Sequence, residues 1–149
     1  MASGRYTFDD FIRLRDNLEK LQTEDIDVFI DKCAKELAAR LLAKTVKRTP
    51  VGQYPDRVGG TLRRGWTAGQ SVSNYVNGLT VNHFGGKYVI EITNPTEYAS
   101  YVEFGHRTRN HTGWVEGRFM LTISEQEVQA NAPAILESKL KKELGAVFK

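Results

Sequence analysis

Glu103, His106 and His111 are the residues whose types could hold a metal ion, a carboxylate and two imidazoles within nine positions. A site of that kind would activate water for hydrolysis. The spacing is not that of two histidines on one helical face, and the residues between them are loop formers, so nothing local would fix the ligand geometry. The other reading, a core-facing or capping Glu103 beside two exposed histidines, fits better. Cys33 is the single cysteine. It excludes an internal disulfide, fits a reducing compartment, and has no histidine nearby in sequence to activate it. On the apolar stripe of a helix it reads as a small core residue. Gly59-Gly60 and Gly85-Gly86 lack the lysine and the strand–loop–helix context of a phosphate-binding loop. These constellations point to no enzyme, no cofactor and no metal centre.

Cations beside aromatics offer a different chemistry. Residues 40–64 carry seven lysines and arginines against Asp56 alone, whereas residues 1–39 carry six against nine acids. Lys47, Arg48, Arg57, Arg63 and Arg64 could meet phosphates, and Trp66 could stack on a base. A core role suits Trp66 better, no nucleic-acid-binding motif is present, and a pI near 9.0 is only mildly basic. A non-specific nucleic-acid-binding module built on the basic segment is the alternative reading; incidental contact with DNA is compatible with either. The acidic N-terminal part also offers a mate for the basic segment of a neighbouring copy. No apolar run is long enough to span a bilayer, and the first residues lack the apolar region of a signal peptide.

Periodicity indicates the elements that must position these groups. Phe8, Phe11, Ile12, Leu14, Leu18 and Leu21 recur at helical steps, with Thr7 as a cap. A longer helix starts near Asp25, carries Phe29, Ile30, Cys33, Leu37, Leu41 and Leu42 on one face, and stops at Pro50. Residues 50–60 hold two prolines and three glycines and form a loop. A strand is expected around Trp66, a turn over Tyr75 to Gly78, and a hairpin of Leu79–Phe84 with Lys87–Ile92 about Gly85-Gly86. Glu97 to Phe104 reads as a short helix. The last helix runs from Arg118 towards Phe148, and Pro133 should kink or split it. The sum is an α+β fold: one domain over residues 1–149, with a small antiparallel sheet of three to four strands packed on long N-terminal and C-terminal helices. Two flexible excursions, residues 50–60 and 105–117, leave it. The second has ionisable groups but no core or helix pattern, and so reaches out of the domain as an arm.

Four pieces in order make a signature: Lys47-Arg48-Thr49-Pro50-Val51, then Gly60-Thr61-Leu62-Arg63-Arg64-Gly65-Trp66, then Tyr98-Ala99-Ser100-Tyr101-Val102-Glu103-Phe104-Gly105, then Gly117-Arg118-Phe119-Met120 opening a C-terminal helix. The set resembles the small tail-component proteins of long-tailed bacteriophages, also called tail-completion or head–tail joining proteins, over roughly residues 30–145. The chain departs from that pattern in an insertion, Gln53 to Gly59, which brings Tyr54-Pro55, and in a long arm. The resemblance implies a structural protein of the phage or prophage neck, assembled in the host cytoplasm into the virion. It implies self-association in a ring, typically hexameric, which is compatible with a subunit that is monomeric when free. It also implies contacts with connector or head-closure proteins and with tail-tube or tail-terminator proteins.

Particular residues carry these expectations. Arg107, Arg109 and Trp114 on the arm, with Arg63, Arg64 and Tyr54, are candidates for partner contact, because arginine and aromatic side chains dominate interfaces. Tyr98, Tyr101 and Phe104 read as core anchors and Gly105 as the turn that ends their helix. Glu103 is expected to pair with Arg63, Arg64 or Arg118 and so fix the base of the arm.

Overall fold

Pro50 has no N–H to donate and ends a helix, α1 (Thr23–Arg48), whose apolar positions fall three and four apart. The computed structural model describes residue 12 and residues 23–147. The helix expected through Phe8 to Leu21 lies, Ile12 apart, outside the described residues. Cys33, Ala38, Leu42, Thr45 and Thr49 are buried along one side of α1 and its C-terminal end. That side packs against a second long helix, α5 (Met120–Val147). The two run antiparallel, since Glu36 pairs with Lys139 while Lys44 and Arg48 pair with Glu127. Pro133 does not split α5, which stays helical through it.

Between the long helices come short elements. α2 (Thr61–Gly65) and α3 (Val72–Asn77) occupy the segment where a strand and a turn were expected. Leu62 and Trp66 are four residues apart and both buried, and Val72, Tyr75, Val76 and Leu79 all pack on the core at steps of three, one and three. That spacing is helical, and it outweighs the β-propensity of the aromatic and β-branched residues. α3 is capped by Ser71, whose Oγ accepts from the Asn74 N–H at 3.2 Å.

The expected hairpin forms as β1 (Asn82–Phe84) and β2 (Lys87–Val89). Gly85 and Gly86 turn it with φ of 52° and 78°, a pair of positive values that favours glycine. Its inner side docks on α1: the Tyr88 hydroxyl donates to Asp27 at 2.6 Å and His83 Nε2 bonds Asp31 at 3.0 Å. The bond to Asp27 holds the Tyr88 phenol above its ordinary pKa. After an extended stretch, α4 (Ala99–Phe104) leads into β3 (Gly105–Arg107), which pairs with β4 (Trp114–Glu116). The fold is therefore α+β, but among the described residues its expected sheet of three to four strands is instead two separate two-stranded hairpins. Ala38, Leu42, Leu62, Trp66, Val76 and Met120 form the core, between the C-terminal half of α1 and the start of α5.

The helix pair also carries a pH response. Arg48 and then Lys44 hold the Glu127 carboxyl below its ordinary value of 4.5. A depressed folded-state pKa gives stability that is present above the ordinary value and lost as pH falls through the lowered one. The thermal midpoint should therefore drop on acidification below about pH 4.5, and less steeply in Glu127→Gln. Midpoints measured at several pH values check this; parallel curves would exclude it.

Candidate functional site

Backbone contacts at the base of the arm explain why it springs from the fold where it does. Gly105 has φ 88°, which ends α4 and starts β3. The chain returns at Gly117, where an added Cβ would lie 2.4 Å from the Glu103 carbonyl oxygen and 2.6 Å from the Phe104 carbonyl carbon. Both neighbours are main-chain atoms. Gly117→Ala should therefore cost roughly 3 kcal/mol, at the upper end of overpacking, and chemical denaturation would measure it. The return is fixed by the Arg118 and Phe119 N–H groups, which donate to the carbonyls of Val102 (2.7 Å) and Glu103 (3.0 Å).

Glu103 is 6% exposed, and it does not meet Arg63, Arg64 or Arg118. Its carboxylate accepts from the Leu121 N–H at 3.0 Å, the Thr122 N–H at 2.9 Å and the Thr122 hydroxyl at 2.7 Å. Those N–H groups open α5 and have no partner within the helix, and the helix dipole favours a negative charge there. Glu103 thus ties α4 to α5 as a cap borrowed from another element, correcting the expected ion pair. Arg63 is committed elsewhere: Nε and Nη2 donate to the Thr49 carbonyl at 3.1 and 2.7 Å. Arg64 Nη1 reaches the Gly59 carbonyl at 3.0 Å.

Tyr98, Tyr101 and Phe104, expected as core anchors, are exposed, Tyr101 by 59% and Phe104 by 61%. α4 presents Val102 and the Glu103 carboxylate inward, so its aromatic positions fall outside. The Phe104 ring lies 6.4 Å from that of Phe119, the Tyr101 ring lies 5.9 Å from that of His106, and Trp114 is 55% exposed on the arm. Arg107 and Arg109 stand exposed on the arm beside it. At the tip, Thr108 Oγ bonds Asn110 and accepts from the Gly113 N–H, so the arm is an ordered hairpin rather than a shapeless loop. Tyr54 is exposed on the 50–60 loop with the Arg57 guanidinium 4.1 Å from its ring centre. That loop and α4 bound a cleft of about 430 Å³, lined by Tyr54, Arg57, Val58, Leu62 and Tyr98.

Chemistry of other kinds finds little here. The Glu103 oxygens face α5, whereas His106 Nδ1 donates to the Arg107 carbonyl at 2.8 Å and His111 sits at the hairpin tip with φ 57°. Among the described residues no group of three or more His, Cys, Asp or Glu is placed to share a metal ion. Burial pushes the Cys33 thiol above its ordinary pKa, which disfavours the nucleophilic thiolate. Trp66, at 4% exposure, has no face open to a nucleic-acid base. No helix among the described residues is long and apolar enough to cross a membrane.

The exposed Phe119, Val115 and Ile123 were not singled out from the sequence, although Phe119 stands inside the Gly117–Met120 signature. Its backbone has φ 47°, a left-handed value that signals a forced turn only once coordinates exist.

Comparison with protein families gives one match: the family described as "Bacteriophage HK97-gp10, putative tail-component" aligns with residues 12–105. No curated protein and no solved structure gives a match. The matched span ends at Gly105, the first residue of the arm.

Proposed function

Because this chain belongs to the HK97-gp10-like family of phage tail components, we propose that it acts in the virion neck, completing the tail or joining it to the head as one subunit of a ring. The family match carries this reading. The exposed aromatic surface and the basic arm support it, since an apolar patch rimmed by arginines is what a protein partner buries. The ring is hexameric, to match the symmetry of tail and connector, and its neighbours are the head-closure or connector proteins on one side and tail-tube or tail-terminator proteins on the other. Arg107, Arg109, Trp114, Arg64 and Tyr54 are the contact residues of this proposal. DNA passing through such a ring would meet the basic 40–64 segment only incidentally.

Electron microscopy of particles made by the source phage or prophage without this gene tests the role. DNA-filled heads and separate tails, rejoined when purified protein is added, are the expected result; normal infectious particles would remove the neck assignment. In the same assay, the triple variant Arg107→Ala, Arg109→Ala, Trp114→Ala should restore joining at least about tenfold less well, with an unchanged melting temperature. Undiminished joining by that variant would show that the arm is not the contact.

A further inference from the structure

The loop over residues 50–60 closes on itself. An added Cβ on Gly59 would overlap the Gly52 carbonyl, so only glycine lets the two ends of the loop pass this closely. Tyr54 folds back over Gly52, where an added Cβ would lie 2.6 Å from the edge of its ring. The Arg57 guanidinium stacks on that ring, and Arg64 Nη1 pins the Gly59 carbonyl at 3.0 Å. A loop with joined ends, packed by its own side chains, is a compact Ω-type wall. The cleft between this wall and α4 is therefore preformed, and an occupant does not have to order it.

The lining of the cleft defines what fits. Its volume of about 430 Å³ lies in the range of ligand pockets. Val51, Leu62, Val102 and Tyr98 give it apolar walls, and Arg57 is the one charged side chain among its lining residues. Asp56 and Glu97, next to lining residues in sequence, do not line it. Arg63 and Arg64 give their N–H groups to carbonyls, whereas Arg57 has no hydrogen-bond acceptor among the described residues. Stacking uses the flat face of a guanidinium and leaves its N–H edge available, which matches a carboxylate with two parallel bonds. Nucleic acid fits less well. Its phosphates would meet Arg57 but leave the aliphatic walls unfilled, and one face of Tyr54 is already taken by the guanidinium.

We infer that this cleft receives a segment of a partner protein in which an apolar side chain stands beside an aspartate or glutamate. The apolar chain sits against Leu62 and Val102, and the carboxylate meets the N–H edge of Arg57. Complementary charge sets the choice of segment, and the preformed wall keeps the cost of ordering low. This deepens the contact given to Tyr54 above, and it rests on that reading for which protein supplies the segment.

Titration of the full-length, nitrogen-15-labelled protein with small peptides tests it by amide chemical shifts. The probes are acetyl-Leu-Glu-amide, its Gln and Lys counterparts, and a short oligothymidylate. The Glu peptide should shift the signals of Arg57, Val58, Leu62 and Tyr98, and bind about fivefold more tightly than the Gln peptide. Arg57→Gln should abolish that preference while its signals outside the loop stay in place, which verifies the fold. No shift at these residues up to about 10 mM Glu peptide, a regime that even weak ligands reach, would overturn the proposal. Equal binding of the Glu and Lys peptides would do the same. Shifts of these signals by oligothymidylate at lower concentration than by the Glu peptide would make the occupant a nucleic acid. If particles lacking the gene are normal but the preference appears and is lost in Arg57→Gln, the neck assignment fails and this site stands. If joining requires the protein but the preference is absent, the neck assignment stands and this site fails.

Discussion

Glu103→Ala should lower the folding free energy by about 3 kcal/mol, because the change strands two helix-opening N–H groups in a buried site. The Leu121 and Thr122 N–H groups and the Thr122 hydroxyl all lose their acceptor together. Loss of an ordinary exposed N-cap costs about 1 kcal/mol. Here the carboxylate is buried, makes three bonds and carries the charge that the helix dipole favours, so the cost lies well above that figure. Glu103→Gln separates the contributions. An amide keeps the shape and one acceptor oxygen but loses the charge, so it should recover roughly half of the deficit. Denaturant titration of both variants gives these numbers. The same cap holds α4, and with it the aromatic face, against the start of α5. If the proposed neck role holds, Glu103→Ala should accordingly reduce head–tail joining even at temperatures where the variant remains folded. A variant as stable as the parent would mean that α5 does not draw its cap from α4.

Much of this architecture was legible in the residues. Pro50 and the basic last turn mark the end of α1, and Gly85-Gly86 mark the turn of the β1–β2 hairpin. Each of those signals is local, and local physics decides the outcome. The segment around Trp66 is ambiguous in sequence because it is short, aromatic and flanked by glycines, which suits a strand as well as a helix. Leu62 and Trp66 at helical spacing were the better guide, but a five-residue helix shows its period only once. The position of Glu103 had a partly legible meaning. A buried acid in a helix that ends at glycine had to be satisfied by something, and capping stood among the readings. The N–H groups that donate to it lie about twenty residues further on, and no periodicity reports a contact of that kind. The aromatic residues of α4 mislead for a related reason. Composition favours burying them, yet only one side of a six-residue helix can face the core, and there the inward side is taken by Val102 and Glu103.

Trp66→Ala should be the most damaging single change, costing about 4 kcal/mol, within the range for removing a buried aromatic side chain. Trp66 packs on Ala38, Leu42, Leu62, Val76 and Met120, residues from four elements, so its loss opens a cavity that none of them can fill alone. Its indole also ends a chain of hydrogen bonds. Nε1 donates to Thr49 Oγ1 at 2.8 Å, Thr49 Oγ1 donates to the Thr45 carbonyl at 2.7 Å, and Arg63 grips the Thr49 carbonyl. Thr49 is fully buried, so without the indole its hydroxyl has an unused acceptor in an apolar site. Trp66→Phe isolates that polar part: volume is largely kept, the N–H is lost, and a cost of about 1–2 kcal/mol is expected. If a double-mutant cycle with Thr49→Val gave no coupling, the indole bond would be energetically idle and packing alone would explain the site. Coupling of about 1 kcal/mol or more would show that the knot of Thr45, Thr49, Arg63 and Trp66 acts as a unit. That knot ends α1 and seats α2 just ahead of the aromatic face. In the proposed joining assay the Trp66→Ala variant should therefore lose activity by unfolding, whereas the arm variants should lose it while folded. Activity plotted against the folded fraction distinguishes the two: Trp66 variants fall on one line, and variants of Arg107, Arg109 and Trp114 lie below it.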